Sequence, residues 1–460
     1  MLFNSFTFVG FFCLLYGPYR LLQSRLRVQN ALLLLASYIF YSVWDVRFSL
    51  LILASTLVDY LVARKIPGRT DREKRRLLYL SLTANLGSLA FFKYYNFFSE
   101  NLSQLLNLPP GSLFLNVVLP VGISFYTFQS MSYTIDVFRG EQEPCESFLD
   151  FALYVSFFPQ LVAGPIERAG RLLEQIQKPR IISTEDLTVG LYLIIYGYFK
   201  KVVIADNLGQ MVNRIFNDPN AQGADIWCAL IAFCFQIYGD FSGYSSIARG
   251  LARLLGFKLV LNFNLPYFSL TPSEFWTRWH ISLSQWLRDY LYVPLGGNRG
   301  GISQTYRNLM LTMVLGGLWH GAAWNFVLWG LFHGFILCLY RGLNIKASPS
   351  LPVRLLQWQI MFMLTLFGWL LFRAKSWSQV VYLVTHMSFQ TSPGTHTLLL
   401  DILFYLTPLL LIELWQHKKR DLLVIPRSGP WVLAGAQAFM LTAILVFGYE
   451  QSSEFIYFQF

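Results

Sequence analysis

A chain of 460 residues with 55% hydrophobic and only 13% charged residues, and with a positive mean hydropathy, is too apolar for a soluble domain, where charged residues make up about a quarter. The net charge of +11 does not point to nucleic acid, because the Lys and Arg residues fall in gaps between apolar runs, where membrane topology places them. Cys13, Cys145, Cys228, Cys234 and Cys338 lie scattered, without the spacing of a disulfide framework or a CxxC metal site.

The first apolar run, Met1 to Tyr16, lacks a basic leader and a small-residue cleavage site, and so predicts a retained helix. Arg20, Arg25 and Arg27 follow it. A second basic break carries Arg64, Lys65, Arg69, Arg72, Lys74, Arg75 and Arg76, whereas the break between them holds only Asp45 and Arg47. The positive-inside rule then puts both basic breaks in the cytoplasm and residue 1 outside. Further spans are expected over 77–97, 117–138, 151–164, 187–204, 226–251, 309–319, 325–340, 358–371, 398–415 and 431–449. Several are shorter than the roughly 20 residues a straight crossing needs. Re-entrant helices, buried in protein or lining a water-filled cavity, are expected among them. Arg168 to Asp186 has amphipathic spacing and predicts a helix at the cytoplasmic surface. Gln416 to Arg420 (QHKKR) marks the cytoplasm, and one crossing follows it. The aromatic stretch FIYFQF, Phe455 to Phe460, is therefore expected on the extracytoplasmic face, or folded back into the protein from it.

Between Ile237 and Gly334 polar residues crowd into apolar sequence, where they are costly and tend to face a functional interior. IYGDFSGYSS contributes Asp240, Ser242 and Tyr244. GGLWHGAAWN contributes Trp319, His320 and Asn325, and His333 follows. The glycines around His320 allow close packing that leaves the imidazole facing a gap, and a neutral imidazole in a dry cavity is a competent general base. The bland alternative is a core histidine bonded to a backbone carbonyl. TRWHISLSQWLRD places His280 between Arg278 and Arg288 with Trp276, Trp279 and Trp286 nearby. That pattern suits a membrane-interface helix whose cations meet an anionic donor, and it suits an interface anchor equally. PLGGNRGG lacks a following Lys-Ser or Lys-Thr and reads as a turn. His320 and His333 have no HExxH spacing or third ligand, so no metal is expected.

The blocks GISFYTFQSMSYTIDVFRG, SFFPQLVAGPIER, QIYGDFSGYSSIARG, EFWTRWHISLSQWLRDYLYVPLGGNRGG and TYRNLMLTMVLGGLWHGAAWNFVLWGLFHG resemble the membrane-bound O-acyltransferases (MBOAT), in the bacterial polysaccharide O-acetylation branch. The resemblance implies an all-α polytopic membrane protein, a ring of roughly 11–12 transmembrane helices plus re-entrant helices around a central tunnel. It implies a single membrane domain over 1–460, with 455–460 as an aromatic acyl-relay motif. His320 matches the family's essential histidine and His280 its second one. Asp240, Ser242, Tyr244, Trp319 and Asn325 would line the tunnel, and Arg278 and Arg288 would bind the donor. One departure is local: where relatives of the alginate type read YFDFSGYSD, this chain has Gly239 and Ser246.

The implied activity passes an acyl group, most simply acetyl, from a cytoplasmic thioester such as acetyl-CoA across the inner membrane. An extracytoplasmic partner of the SGNH-hydrolase type then places it on a polysaccharide. No tightly bound cofactor is expected, since the donor is a substrate. Tyr457 would be the relay acceptor, because a phenol of pKa near ~10 forms an activated ester. An aromatic belt at the interface is the plain alternative for the tail. A transporter or channel without covalent chemistry would also use polar residues at membrane depth, but it predicts inverted repeats that the sequence lacks. A lipid or protein acyltransferase fits the polysaccharide-branch motifs less well.

Overall fold

The computed structural model describes every residue except Leu2, Ala163, 449–454 and 457–460. Its regular structure is helical. Among the described residues, six helices are long and apolar enough to cross a membrane: Val46–Lys65, Thr184–Phe216, Ala224–Leu254, Leu351–Arg373, Thr395–Lys419 and Pro430–Phe447. Local signals set many of the ends. Asp45 caps Val46–Lys65 by accepting from the Arg47 amide, and Arg64 and Lys65 occupy its last turn, where cations meet the negative end of the helix dipole. Thr70 and Glu73 form a reciprocal capping box on Asp71–Leu89.

Polarity is arranged as a bilayer demands. Pro430–Phe447 exposes Trp431, Phe439, Leu441, Leu445 and Val446, whereas Ile123–Arg139 buries Ser124, Thr127, Gln129, Ser130, Ser132 and Thr134. Lipid needs no polar partner, so polar groups turn inward to find one.

The chain divides into two compact units, Met1–Leu191 with Ala248–Val260, and Tyr192–Ile247 with Leu261–Phe460. The first is organised around Asp59, which is fully buried. Its carboxylate accepts from Asn85 Nδ2 at 2.8 and 3.0 Å and from the hydroxyls of Ser81 and Ser130. A buried carboxylate without such donors would be strongly destabilising. The segment 168–186 differs from the single surface helix expected of it. A helix spans only Ala169–Gln177, with Leu172, Leu173 and Ile176 buried. Arg180 lies beyond its end, itself buried, donating to Gln29 Oε1 at 2.6 Å and standing over the Phe257 ring at 4.6 Å. Pro179 ends the helix, since the residue before a proline is driven out of helical backbone and Lys178 is extended; the inward guanidinium then fixes the chain beyond it.

In the second unit the helix ending at Phe216 crosses Ala224–Leu254 at two glycines. A Cβ on Gly197 would lie 2.6 Å from the Gly243 carbonyl oxygen, and one on Gly243 would lie 2.9 Å from that of Gly197. Gly197→Ala should therefore cost about 1–3 kcal/mol of stability by forcing the backbones apart. Gly10→Ala, where nothing lies within 4 Å, should be neutral or slightly stabilising. Unfolding midpoints of the two variants in one detergent would check this, and equal midpoints would contradict the close crossing.

Candidate active site

The helices Ile302–His320 and Trp324–Gly342 form a hairpin joined by three residues. Gly317 and Gly330 make their contact possible: a Cβ on Gly317 would overlap the Phe326 carbonyl, and one on Gly330 the Met313 carbonyl. His320 is the last residue of the first helix, and Gly321 turns away from it with extended backbone. A side chain at Gly321 would collide with the Phe326 ring, so the turn fixes the imidazole at the helix end. The ring is 4% exposed. It stands edge-on to Trp319 at 5.1 Å, Trp329 at 5.0 Å and Phe372 at 5.4 Å between centroids.

His320 also lines a cavity of about 310 Å³, at the small end of the range for small-molecule sites. Apolar walls come from Ile281, Leu287, Leu309 and Met313, and polar groups from Thr277, Ser284, Gln285, Arg288 and Tyr292. Arg288 and Tyr292 bound a turn of π-helix, Arg288–Tyr292, a wider turn often found at functional sites. Arg288 therefore sits at the cavity, paired with Asp289 at 2.6 Å. Arg278 does not line it. Its guanidinium is held by Glu274 at 2.8 Å and donates to the Asn264 carbonyl at 3.2 Å.

The expected interface helix around His280 is instead two short helices, Pro272–Arg278 and Ile281–Leu287. They break at His280, whose φ of 41° is left-handed, a costly conformation outside glycine that persists only where its surroundings impose it. Trp279, His280 and Trp286 are buried, which corrects the anchor reading for those two indoles. The break turns the His280 ring inward, with centroids 4.6 Å from Phe241 and 5.8 Å from Trp319. The two imidazoles lie 6.5 Å apart.

Asp240, Ser242 and Tyr244 do not line the cavity; they build a polar core beside His280's neighbour Phe241. Their partners come from a second turn of π-helix, Phe199–Ala205, which points both Lys200 and Lys201 inward. Lys201 Nζ meets Asp206 Oδ1 and Asp240 Oδ1, each at 2.7 Å. Lys200 Nζ donates to the carbonyl and hydroxyl of Ser242 at 3.0 and 3.1 Å and to Ser246 Oγ at 3.0 Å. Ser246 Oγ in turn donates to the Ser242 carbonyl at 2.8 Å. Tyr238 donates to the buried carboxylate of Glu413.

Lys200, Lys201, Asp206 and Glu413 escaped the sequence reading, although charges inside apolar runs are themselves a signal. Trp319 packs between the two histidines without reaching the cavity. Asn325 Nδ2 donates to the Ala374 carbonyl at 3.1 Å and lies away from the cavity lining. PLGGNRGG is a turn: Gly296, Gly297 and Gly301 have positive φ, and Asn308 Nδ2 donates to the Leu295 and Gly297 carbonyls. Tyr457 lies outside the described residues. The two residues before it are described and buried. Phe455 sits with its ring 5.6 Å from Phe241 and 4.7 Å from Tyr244, which removes that ring from any interface belt.

A buried histidine lining a cavity of mixed polar and apolar walls, among helices long and apolar enough to cross a membrane, is the arrangement of a membrane enzyme. The family model of the membrane-bound O-acyltransferases matches residues 76–363, and the chain belongs to that family: it is a multi-pass membrane O-acyltransferase. It is 43% identical over 382 residues to the probable alginate O-acetylase AlgI of Pseudomonas aeruginosa, covering 82% of this chain and 72% of that one. It is 34% identical over 483 residues to the peptidoglycan O-acetyltransferase of Helicobacter pylori, covering 93% and 91%. Similarity to the teichoic acid D-alanyltransferase of Bacillus subtilis is 31% over 245 residues, covering 49% and 60%.

Proposed function

We propose that the chain carries an acetyl group from a cytoplasmic thioester, acetyl-CoA or a protein-bound equivalent, across the bacterial inner membrane to Tyr457. An extracytoplasmic SGNH-type partner then moves it to a polysaccharide. The observation that carries this reading is the line of side chains from the cavity to the C-terminal segment: His320 on the cavity, His280 beside it, Phe241 against His280, and Phe455 against Phe241. The names of the relatives, which acylate alginate, peptidoglycan and teichoic acid, favour a polymer acceptor and, in the two nearer cases, acetyl as the group.

The chemistry follows from the parts. A ring nitrogen of His320 takes the proton of the Tyr457 phenol as its oxygen attacks the thioester carbonyl. The C–O bond forms, the C–S bond breaks, and the departing thiolate receives the proton from the imidazolium. Arg288 at the cavity supplies positive charge for the anionic part of the donor. In the outward step the partner's serine oxygen forms the new C–O bond, the bond from the acetyl carbon to the Tyr457 oxygen breaks, and the departing phenolate takes up the serine proton; an aryl ester is activated for this exchange.

Purified full-length protein given a labelled acetyl thioester should gain one acetyl mass on the peptide containing Tyr457, and Tyr457→Phe should gain none and support no polymer acetylation. Normal product from Tyr457→Phe would overturn the relay. Passage of label across vesicles without any adduct would favour a transporter instead.

A further inference from the structure

The Lys201–Asp240 pair does more than neutralise two buried charges. While Asp240 Oδ1 faces Lys201 Nζ at 2.7 Å, its Oδ2 accepts the backbone N–H of Ile456 at 2.7 Å, a contact between residues 216 apart in sequence. Phe455 and Ile456 are 0% and 4% exposed, and Phe455 fills the space between Phe241 and Tyr244. We infer that Asp240, oriented by Lys201, is a positioning residue that seats Phe455 and Ile456 in the core and so holds the C-terminal segment in register at Ile456.

The physical case rests on mutual need. Lys201 is shared between two carboxylates, Asp206 and Asp240, so the local charge favours one more donor. A backbone N–H on a buried carboxylate is a charge-assisted bond, stronger than one between neutral groups. Withdrawing the segment would leave Asp240 Oδ2 without that donor and empty the place of the Phe455 ring, so both losses oppose its release. Register matters because a main-chain bond, unlike ring packing, distinguishes one residue from the next. The inference rests on the reading of Tyr457 as acyl acceptor only for its catalytic consequence, since seating itself is independent of acylation.

Amide hydrogen exchange of the full-length protein in lipid nanodiscs tests the seat. The C-terminal peptide of the wild type should keep a slowly exchanging amide, and Asp240→Asn should exchange it about ten-fold faster or more, the size set by losing a bond to a charged group. In the same variant kcat for acetyl transfer to Tyr457 should fall by a comparable factor while the KM for the thioester stays put, because the cavity is untouched. Ile456→Pro deletes the N–H and leaves the ion pair; it should reproduce the kcat loss, and adding Asp240→Asn should then cost little more. A C-terminal peptide that exchanges at the rate of an unfolded chain in the wild type, or equally slowly in Asp240→Asn, would overturn the seat. Should Asp240→Asn fail to fold, the wild-type exchange and Ile456→Pro decide. A seat that stands while Tyr457→Phe still yields product would sink the relay alone, and an acetylated Tyr457 on an unprotected segment would sink the seat alone.

Discussion

His320→Ala is expected to lower acyl transfer by about 10²–10⁴-fold, the usual contribution of a positioned general base, with the thioester KM little changed. The imidazole is one wall of a cavity that otherwise offers apolar side chains, hydroxyls, an amide and Arg288. None of those is a base near neutrality. Truncation would enlarge the cavity by the volume of a ring while leaving Trp319, Trp329 and Phe372 to hold the hairpin, so folding should survive. Measuring O-acetyl content on the cell-surface polymer, beside transfer by the purified variant, separates this outcome from misfolding. Full acetylation by correctly folded His320→Ala would remove the residue from the mechanism and leave it a packing histidine.

The second large effect is on stability. Lys201→Met should destabilise the protein by about 3–5 kcal/mol, because it strands Asp206 and Asp240 in the interior without their shared cation. Methionine matches the lysine stem, so the loss reports charge and not shape. The companion variant Lys201→Met/Asp206→Asn removes one stranded charge and should recover part of the loss, a non-additivity expected of contacting groups. Unfolding midpoints in detergent would decide, and a wild-type midpoint for Lys201→Met would mean that the two carboxylates do not need the ammonium.

The contrast between His320 and Lys201 shows which parts of the site the sequence displays. His320 is framed by glycines and aromatics within five residues, so its surroundings are local and legible. His280 is equally visible, but its neighbours suggest a continuous interface helix; the left-handed backbone that breaks that helix goes with long-range bonds on either side of it, Asn264 N–H to the Arg278 carbonyl and Ile281 N–H to the Asn262 carbonyl. Lys200 and Lys201 lie in plain view inside the apolar run 187–204. Their meaning depends on Ser242, Ser246 and Asp240, some forty residues on, and on a π-turn that no residue pattern announces. Arg278 and Arg288 looked interchangeable at ten-residue spacing, yet only Arg288 reaches the cavity, because Glu274 one turn earlier holds Arg278.

Hydropathy and motif by themselves determined that this is a helical membrane protein of the O-acyltransferase family with His320 as the candidate base, because solvent preference and short-range packing are written residue by residue. Only the tertiary structure decided that His320 lines a cavity, that Arg288 and not Arg278 borders it, and that Asp240 holds the amide of Ile456. Those facts are pairings between residues distant in the chain, and a buried charge acquires its role from the partner the fold brings to it.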